Sequence, residues 1–224
     1  MIAPLMNDES LNTAIYAQLR QRFVTGQVAP GQELSTRGLA AELGVSQTPV
    51  RDALSRLAAD GAVSIRSKRR IQAVVMTPER FADLLKCRML LEPEAAALAL
   101  PHLDADALTR LSVCDRALDR ALAHRDADGY MTNNHAFHFT LYRAQPGQTM
   151  TQLIETLWLQ FGPFMRVVFE QIKGLDIADH HKEAIAAVEQ RDASALRAAI
   201  AADIQDGMDL LARNGFAPGA WVTL

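Results

Sequence analysis

Two short segments in the first third of the chain carry polar and basic side chains suited to contacts with an anionic polymer. The first is the run Ser46-Gln47-Thr48-Pro49-Val50-Arg51, which opens a predicted helix. The N-terminus of a helix presents free N–H groups and the positive end of its dipole, so polar side chains there can reach phosphates or base edges. The second is the basic run Arg66-Ser67-Lys68-Arg69-Arg70, which suits a phosphate backbone or a minor groove.

Another candidate is an arginine in an otherwise apolar helix. Arg88 lies in the leucine-rich and methionine-containing run at 84–91. A buried guanidinium needs a planar anionic partner, which is either the carboxylate of a ligand or an acid of the protein such as Glu92. The residue types by themselves leave both partners open.

A third group of polar side chains lies in the second half of the chain. Asn134 and His138 are four residues apart, so they project from one face of a predicted helix. His181 lies near the start of the next-to-last predicted helix, and Asp203 lies in the last one. If these helices close one bundle, the four groups can hydrogen-bond a ligand or water in a polar cavity.

The elements that position the first two segments follow from apolar spacing and helix breakers. Apolar residues at every fourth position predict a helix over 8–25, and Ser35 can cap a short helix that ends at Gly44. A third helix, preceded by Ser46 or Thr48 as the N-cap, runs to residue 60. Runs with β-type composition at 62–65 and 71–75 flank the basic segment. Three helices followed by a two-stranded ribbon with a basic tip predict a winged helix-turn-helix.

The rest of the chain has a purely helical pattern. The predicted helices cover 79–100, 104–124, 128–144, 149–173, 177–190 and 193–213, and their short connections predict an antiparallel bundle. The predicted fold class is therefore mostly α, with an N-terminal winged helix-turn-helix and a C-terminal all-helical bundle. The predicted domains are a DNA-binding domain at 1–77, an effector-binding and dimerisation domain at 78–214, and a loosely ordered tail at 215–224.

Charge and composition narrow the class of protein. Residues 1–77 contain nine Lys or Arg and six Asp or Glu, whereas the remainder contains fourteen and twenty. A basic first third joined to an acidic remainder suggests two domains with different partners, although chance scatter of surface charge gives the same totals. No apolar run approaches the roughly 20 residues that cross a bilayer. With no export signal and only two cysteines, the sequence predicts a cytoplasmic protein with reduced thiols and no membrane partner.

A family resemblance extends over nearly the whole chain. The stretch from Gly26 to Gly61, which contains Glu-Leu-Ser-Thr-Arg-Gly-Leu-Ala and Val-Ser-Gln-Thr-Pro-Val-Arg-Asp-Ala-Leu, resembles the GntR family of bacterial transcription regulators. The helical remainder resembles the FCD effector domain of the FadR subgroup. The matching residues there are Arg88 within Lys86–Ala95, the pair Phe137-His138, His181 and Asp192.

The resemblance implies specific contacts with double-stranded operator DNA. The family's contacting residues correspond to Arg37, Gln47, Thr48 and Arg51. Gln47 stands where the family usually has an arginine, and glutamine suits the edge of adenine whereas arginine suits guanine. The wing also departs from the family, because Arg69 and Arg70 lie near its usual glycine.

In the helical domain the resemblance implies a divalent metal held by one aspartate and three histidines. This chain has His138 and His181, but Asn134 replaces the aspartate and Asp203 replaces a histidine. His138, His181 and Asp203, with the Asn134 carbonyl as a weak fourth ligand, would suit zinc, nickel or manganese. The alternative is a metal-free polar cavity. The expected effector is a small organic acid, contacted by Arg88, Asn134, Tyr142, Arg143 and Arg166.

These observations together predict a ligand-responsive homodimeric transcription regulator, most simply a repressor, and not an enzyme. The sequence contains no nucleophile motif, phosphate-binding loop or H-E-x-x-H helix. Two alternatives remain at this stage. One is a metal-dependent hydrolase built on the helical bundle, and the other is a DNA-binding protein whose helical domain only dimerises.

Overall fold

The computed structural model of the protein describes residues 8–67, 70–171 and 180–216. Lys68 and Arg69 of the predicted wing, and residues 217–224 of the predicted tail, lie outside these ranges. The described part is mostly α-helical with one small sheet near its start, which confirms the predicted fold class. Among the described residues, no helix has the length and apolar character needed to cross a bilayer.

The first unit consists of three helices and a three-stranded antiparallel sheet. Its elements are α1 (Asp8–Val24), β1 (Glu33–Leu34), α2 (Thr36–Leu43), α3 (Gln47–Ala59), β2 (Val63–Ser67) and β3 (Arg70–Ala73). The strand order is β1-β3-β2. The sequence predicted only β2 and β3, because a two-residue strand is too short to show alternation. Strand β1 is defined by its tertiary pairing, in which Leu34 lies opposite Ile71.

Local signals explain where the helices of this unit begin and end. Ser35 Oγ accepts a hydrogen bond from the Gly38 N–H at 3.1 Å, as expected of an N-cap. Gly44 ends α2 with a φ of 66°, in the left-handed region that glycine adopts without strain. Ser46 is the N-cap of α3, so Pro49 falls in the first turn, where its missing N–H costs no helical hydrogen bond.

The second unit contains the six predicted helices, whose observed ends differ from the predicted ones by at most a few residues, while the predicted ends at 173 and 177 lie outside the described residues. They are α4 (Pro78–Ala99), α5 (Ala105–His124), α6 (Ala127–Tyr142), α7 (Gln148–Gln171), α8 (His181–Glu189) and α9 (Ala193–Gly215). Four of them begin after a side chain that accepts a backbone N–H: Thr77, Asp104, Asp126 and Asp192. Helix α4 packs against α9, α5 against α6, and α8 against α9.

Helix α7 connects the two units, because it packs against α1 as well as against α4 and α9. At the crossing with α1, a Cβ on Gly162 would meet the backbone carbonyl oxygens of Phe23 and Val24. Beside it, Gln160 Nε2 donates to the Asp60 carbonyl at 2.9 Å, and Arg80 Nη2 donates to Gln160 Oε1 at 2.8 Å. The two units are therefore joined by close backbone packing and by side-chain hydrogen bonds.

Replacing Gly162 by alanine is expected to destabilise the protein by about 1–3 kcal/mol, because the added methyl group meets rigid backbone. The sign of this change in the free energy of unfolding is informative. In a helix interior, alanine is normally more favourable than glycine by about 1 kcal/mol. Urea unfolding would measure the change. Gly207→Ala in α9 is the matched control, because a Cβ there meets nothing within 4 Å. A gain in stability in both variants would contradict the close packing of α1 against α7.

Candidate functional site

Helix α3 has one buried face and an exposed polar N-terminal end. Val50, Leu54 and Leu57 are at most 1% exposed, which confirms the predicted inward face. The Ser46 hydroxyl makes no capping hydrogen bond, and the first turn contains no acidic side chain. Ser46, Gln47, Thr48 and Arg51 are exposed at this end, as is Asp52 in the second turn. This end of the helix therefore presents polar and basic groups with no local negative charge in the first turn.

Side-chain contacts between α1 and the C-terminal part of α3 fix the orientation of this surface. Tyr16 Oη donates to Asp60 Oδ2 at 2.7 Å, and the Arg56 guanidinium lies 3.7 Å above the Tyr16 ring. Burial, together with Asp60, raises the pKa of Tyr16 to about 12. The sequence did not predict these contacts, because Tyr16, Arg56 and Asp60 belong to no recognisable motif. Arg37, the other predicted DNA contact, is exposed in the first turn of α2.

The predicted wing is described only in part. Strands β2 and β3 pair with an irregularity between Ile65 and Ser67, and Arg70 is exposed at the start of β3. The backbone of Arg66 belongs to β2, but its side chain, like the whole of Lys68 and Arg69, lies outside the described residues. The roles of the basic wing residues therefore stay predictions.

The second unit encloses a cavity of about 60 Å³ between α4, α6, α7 and α9. Phe161, Met165 and Phe169, at every fourth position of α7, form an apolar side of this cavity. Its polar lining residues are Arg88, Asn134, His138 and Asp203. The fold thus brings polar residues of α4, α6 and α9 to one cavity.

Two imidazoles and one carboxylate meet at this cavity. One ligand atom each from His138, His181 and Asp203 lie within 4.8 Å of one another. His138 Nε2 is 3.2 Å from Asp203 Oδ2, and His181 Nε2 is 3.6 Å from Asp203 Oδ1. Ligand bonds of about 2.0–2.2 Å to one ion place neighbouring ligand atoms roughly 3–3.5 Å apart. The donor set therefore fits a divalent metal. Asn134 lines the cavity, and its amide nitrogen lies 3.9 Å from Met165 Sδ.

A chain of hydrogen bonds sets the tautomer of His138. Tyr142 Oη donates its only hydrogen to Glu92 Oε2 at 2.8 Å, so it must accept at 3.0 Å from His138 Nδ1–H. His138 Nε2 then faces the Asp203 carboxylate, and it carries either a proton that it donates to that carboxylate or a lone pair that a metal ion can take. Two acceptors in this arrangement repel each other unless a proton or a metal ion lies between them. A metal-binding histidine typically donates its other ring N–H to a neighbouring protein group, as His138 does to Tyr142.

The pKa of Asp203 is held below its usual value despite its environment. Burial on its own would raise this pKa. The hydrogen bond with His138, the charge interactions with both histidines and the backbone N–H of His180 together outweigh burial. Asp203 is therefore ionised at neutral pH and available as a ligand.

Arg88 lines the cavity and has the carboxylate of Glu92 as its partner, so its predicted contact with the acid of a ligand stays a prediction. Its Nε lies 2.5 Å from Glu92 Oε1, and its Nη2 lies 3.2 Å from Glu92 Oε2. Glu92 is fully buried and also accepts from Trp158 Nε1 at 3.2 Å. Burial would lower the pKa of Arg88, but the charge and hydrogen bonds of Glu92 raise it. The i,i+4 spacing signalled the ion pair, whereas nothing in the sequence pointed to Trp158.

The other three predicted effector contacts do not line the cavity. Tyr142 is buried behind His138 and acts on it through the hydrogen bond described above. Arg143 is exposed, and its Nη2 binds Glu155 at 2.8 Å. Arg166 lies at the junction of the two units, where it binds Asp128 and Glu170. Sequence periodicity placed these residues near the bundle but could not decide which side chains enter its interior.

Comparisons with known proteins agree with both units. The profile of the bacterial regulatory proteins of the gntR family matches residues 11–72, and that of the FCD domain matches residues 83–206. The HTH-type transcriptional regulator McbR of Escherichia coli (strain K12) is 27% identical over 209 residues, which cover 92% of this chain and 95% of that protein. The gluconate operon transcriptional repressor of Bacillus subtilis (strain 168) is 30% identical over 166 residues, or 73% of this chain and 65% of that protein.

Solved structures show the same architecture. The structure of E. coli McbR/YncC superposes with a TM-score of 0.84 at 25% identity, covering 95% of this chain and 99% of that one. A putative GntR regulator from Rhodococcus sp. RHA1 shares the fold with a TM-score of 0.70 at 22% identity, covering 89% and 96%. The chain therefore belongs to the gntR family of bacterial regulatory proteins, carries an FCD domain, and is a DNA-binding transcription regulator.

Proposed function

We propose that the protein is a ligand-responsive repressor that binds double-stranded operator DNA as a homodimer. The exposed N-terminal end of α3 carries this proposal, because it presents Gln47, Thr48 and Arg51 without a neighbouring acid in the first turn. A helix with such an end fits the major groove and reads base edges there. Repression is supported by the name of the Bacillus subtilis relative.

The homodimer follows from the way such a domain reads DNA. A single short helix contacts few base pairs, so two copies related by a two-fold axis would read a near-palindrome. The second unit of one chain would provide the dimer contact while its cavity holds the effector. Analytical ultracentrifugation at micromolar concentration tests this step, and a monomer that still binds a palindrome would contradict it.

Arg51→Ala is expected to weaken specific operator binding by about 1–3 kcal/mol, since a bidentate contact to guanine is worth that much. The test is an electrophoretic mobility shift at fixed salt, with operator fragments that the protein itself selects from genomic DNA. Arg120→Ala, an exposed arginine of α5, is the control for the lost positive charge. Equal operator affinities for Arg51→Ala and Arg120→Ala would show that Arg51 does not contact the bases.

In the second unit, His138, His181 and Asp203 would hold a divalent ion, with zinc, nickel or manganese as candidates. The spacing of the three ligand atoms and the tautomer of His138 support this assignment. The ion would supply a Lewis acid that accepts a carboxylate oxygen of the effector. Asn134, on the same face of α6 as His138, would add an amide contact to ion or effector.

The charges around the cavity support an acidic effector only together with a metal. Glu92 neutralises Arg88, and Asp203 adds a further negative charge. With neutral imidazoles the cavity groups would repel a carboxylate, whereas a divalent ion reverses the sign of the local charge. Arg88 is then a positioning residue, which holds Glu92 and through it Tyr142 and His138.

Two experiments separate this proposal from its alternatives. A metal-dependent hydrolase would not require sequence-specific DNA binding, so retention of selected operator fragments in a mobility shift favours the regulator. A helical domain that only dimerises would show no ligand-induced thermal shift. The proposed effector site predicts stabilisation by a small organic acid in the metal-loaded protein and none after chelation.

A further inference from the structure

A second opening lies on the other side of α6, where that helix faces α1 and α5. This groove has a volume of about 510 Å³ and shares no lining residue with the metal-ligand cavity. Helix α1 belongs to the DNA-binding unit and α5 and α6 to the helical unit, so the groove lies at their junction. Its polar lining residues are Gln21, Arg110, His135, Thr140 and Arg143.

The groove has an excess of positive charge. Arg20 and Arg143 both bind Glu155, each at 2.8 Å, so one carboxylate serves two guanidinium groups. In the part of the chain that the structure describes, no carboxylate lies within 4.0 Å of the Arg110 guanidinium. Arg110 lines the groove from α5 and Arg143 from the position that follows α6, so an anion between them would meet both charges.

One wall of the groove is formed by His135. Its ring stacks on Phe139, with centroids 4.2 Å apart, and meets Trp158 edge-on at 5.6 Å. Its Nε2 atom is buried and has no hydrogen-bond partner among the described residues. Because this atom has almost no solvent-accessible surface, a ligand in the groove would contact the aromatic surface of the ring and not Nε2.

The remaining wall is apolar. Ala136, Phe139 and Ala144 form its surface, and the Arg143 guanidinium lies 4.8 Å from the centre of the Phe139 ring. Such a surface suits the carbon skeleton of an organic molecule better than a hydrated inorganic ion. The combination of an apolar wall and two cationic groups favours small organic anions.

We infer that the groove between α1, α5 and α6 is a second ligand site, which binds a small organic anion bearing a carboxylate or phosphate group. Arg110 and Arg143 contact the anionic group, and Gln21 contacts the ligand from α1. A ligand in this groove contacts both units. Its binding therefore changes how the two units pack against each other and, through α1 and α3, the affinity for DNA.

The test measures binding of citrate, benzoate and glycerol 3-phosphate by isothermal titration calorimetry at fixed ionic strength. The parent is compared with the double variant Arg110→Gln/Arg143→Gln, in which both exposed arginines lose their charge. We expect at least one of the three anions to bind the parent, and to bind the double variant about tenfold or more weakly. Arg120→Gln, on the exposed part of α5, is the matched control and should bind as the parent does.

A third variant separates this site from the metal-ligand cavity. Asp203→Asn removes a cavity ligand but leaves the groove intact, so the anion should bind it with the affinity of the parent. Loss of binding in Asp203→Asn, or equal affinities for the parent and the double variant, would overturn the inference. So would the absence of binding by all three anions at millimolar concentration. Circular dichroism of each variant confirms that the comparison is made between folded proteins.

Discussion

Glu92→Ala is expected to lower the free energy of unfolding by about 3–5 kcal/mol, the cost of leaving a buried charge without its partner. Glu92 is fully buried and accepts hydrogen bonds from Arg88, Tyr142 and Trp158. Without it, the Arg88 guanidinium stays in an apolar environment with no carboxylate beside it. Urea unfolding monitored by tryptophan fluorescence and by circular dichroism would measure the loss.

A second glutamate of the same helix provides the control. Glu94 binds Arg197 at 2.8 Å, but both side chains are more than 40% exposed. Glu94→Ala should therefore cost no more than about 1 kcal/mol. The double variant Arg88→Met/Glu92→Leu replaces the buried pair with apolar groups and should recover much of the stability lost in Glu92→Ala. Similar losses for Glu92→Ala and Glu94→Ala would contradict the account of a buried charged network.

The second large effect concerns metal binding. Tyr142→Phe removes the acceptor that holds His138 Nδ1–H and leaves all three proposed ligands in place. We expect it to weaken zinc binding by about 10–100-fold, as removal of a ligand's hydrogen-bond partner does in other metal sites. The measurement is competition with a chromophoric chelator on protein purified without a histidine tag. Tyr16→Phe, whose hydroxyl binds Asp60 in the first unit, is the control and should not change the affinity.

The pH profile distinguishes a direct effect on His138 from general destabilisation. A protonated imidazole cannot ligate, so zinc affinity should fall as the pH decreases below neutrality. The lowered pKa of Asp203 keeps that ligand ionised there, so it contributes nothing to the slope. Tyr142→Phe should shift the pH dependence of zinc affinity along the pH axis. A variant that is only less stable should keep the pH dependence of the parent. No bound metal in the parent, or an unchanged affinity in Tyr142→Phe, would contradict the proposed site.

The sequence by itself determined the order and type of most elements and which side of α3 is exposed. Helix starts and ends depend on neighbouring residues, so Ser35, Gly44 and Ser46 predicted the boundaries of α2 and α3 closely. The exposure of Arg51 followed from the apolar period of α3, because one helix suffices to decide which side faces the core. The resemblance also identified His138, His181 and Asp203, which the fold brings within 4.8 Å.

Only the tertiary structure decided what each buried or inter-unit side chain contacts. Arg88 had two chemically acceptable partners in the sequence, and the packing of α4 against α6 and α7 selected Glu92 by surrounding it with further donors. Arg166 lies on the same helix as the cavity residue Met165, and Arg143 directly follows α6, but neither lines the cavity, because neighbouring residues of a helix point about 100° apart. Strand β1 likewise exists only through its pairing with β3. Local signals act over about four residues along the chain, whereas these outcomes depend on how distant helices and strands meet in space.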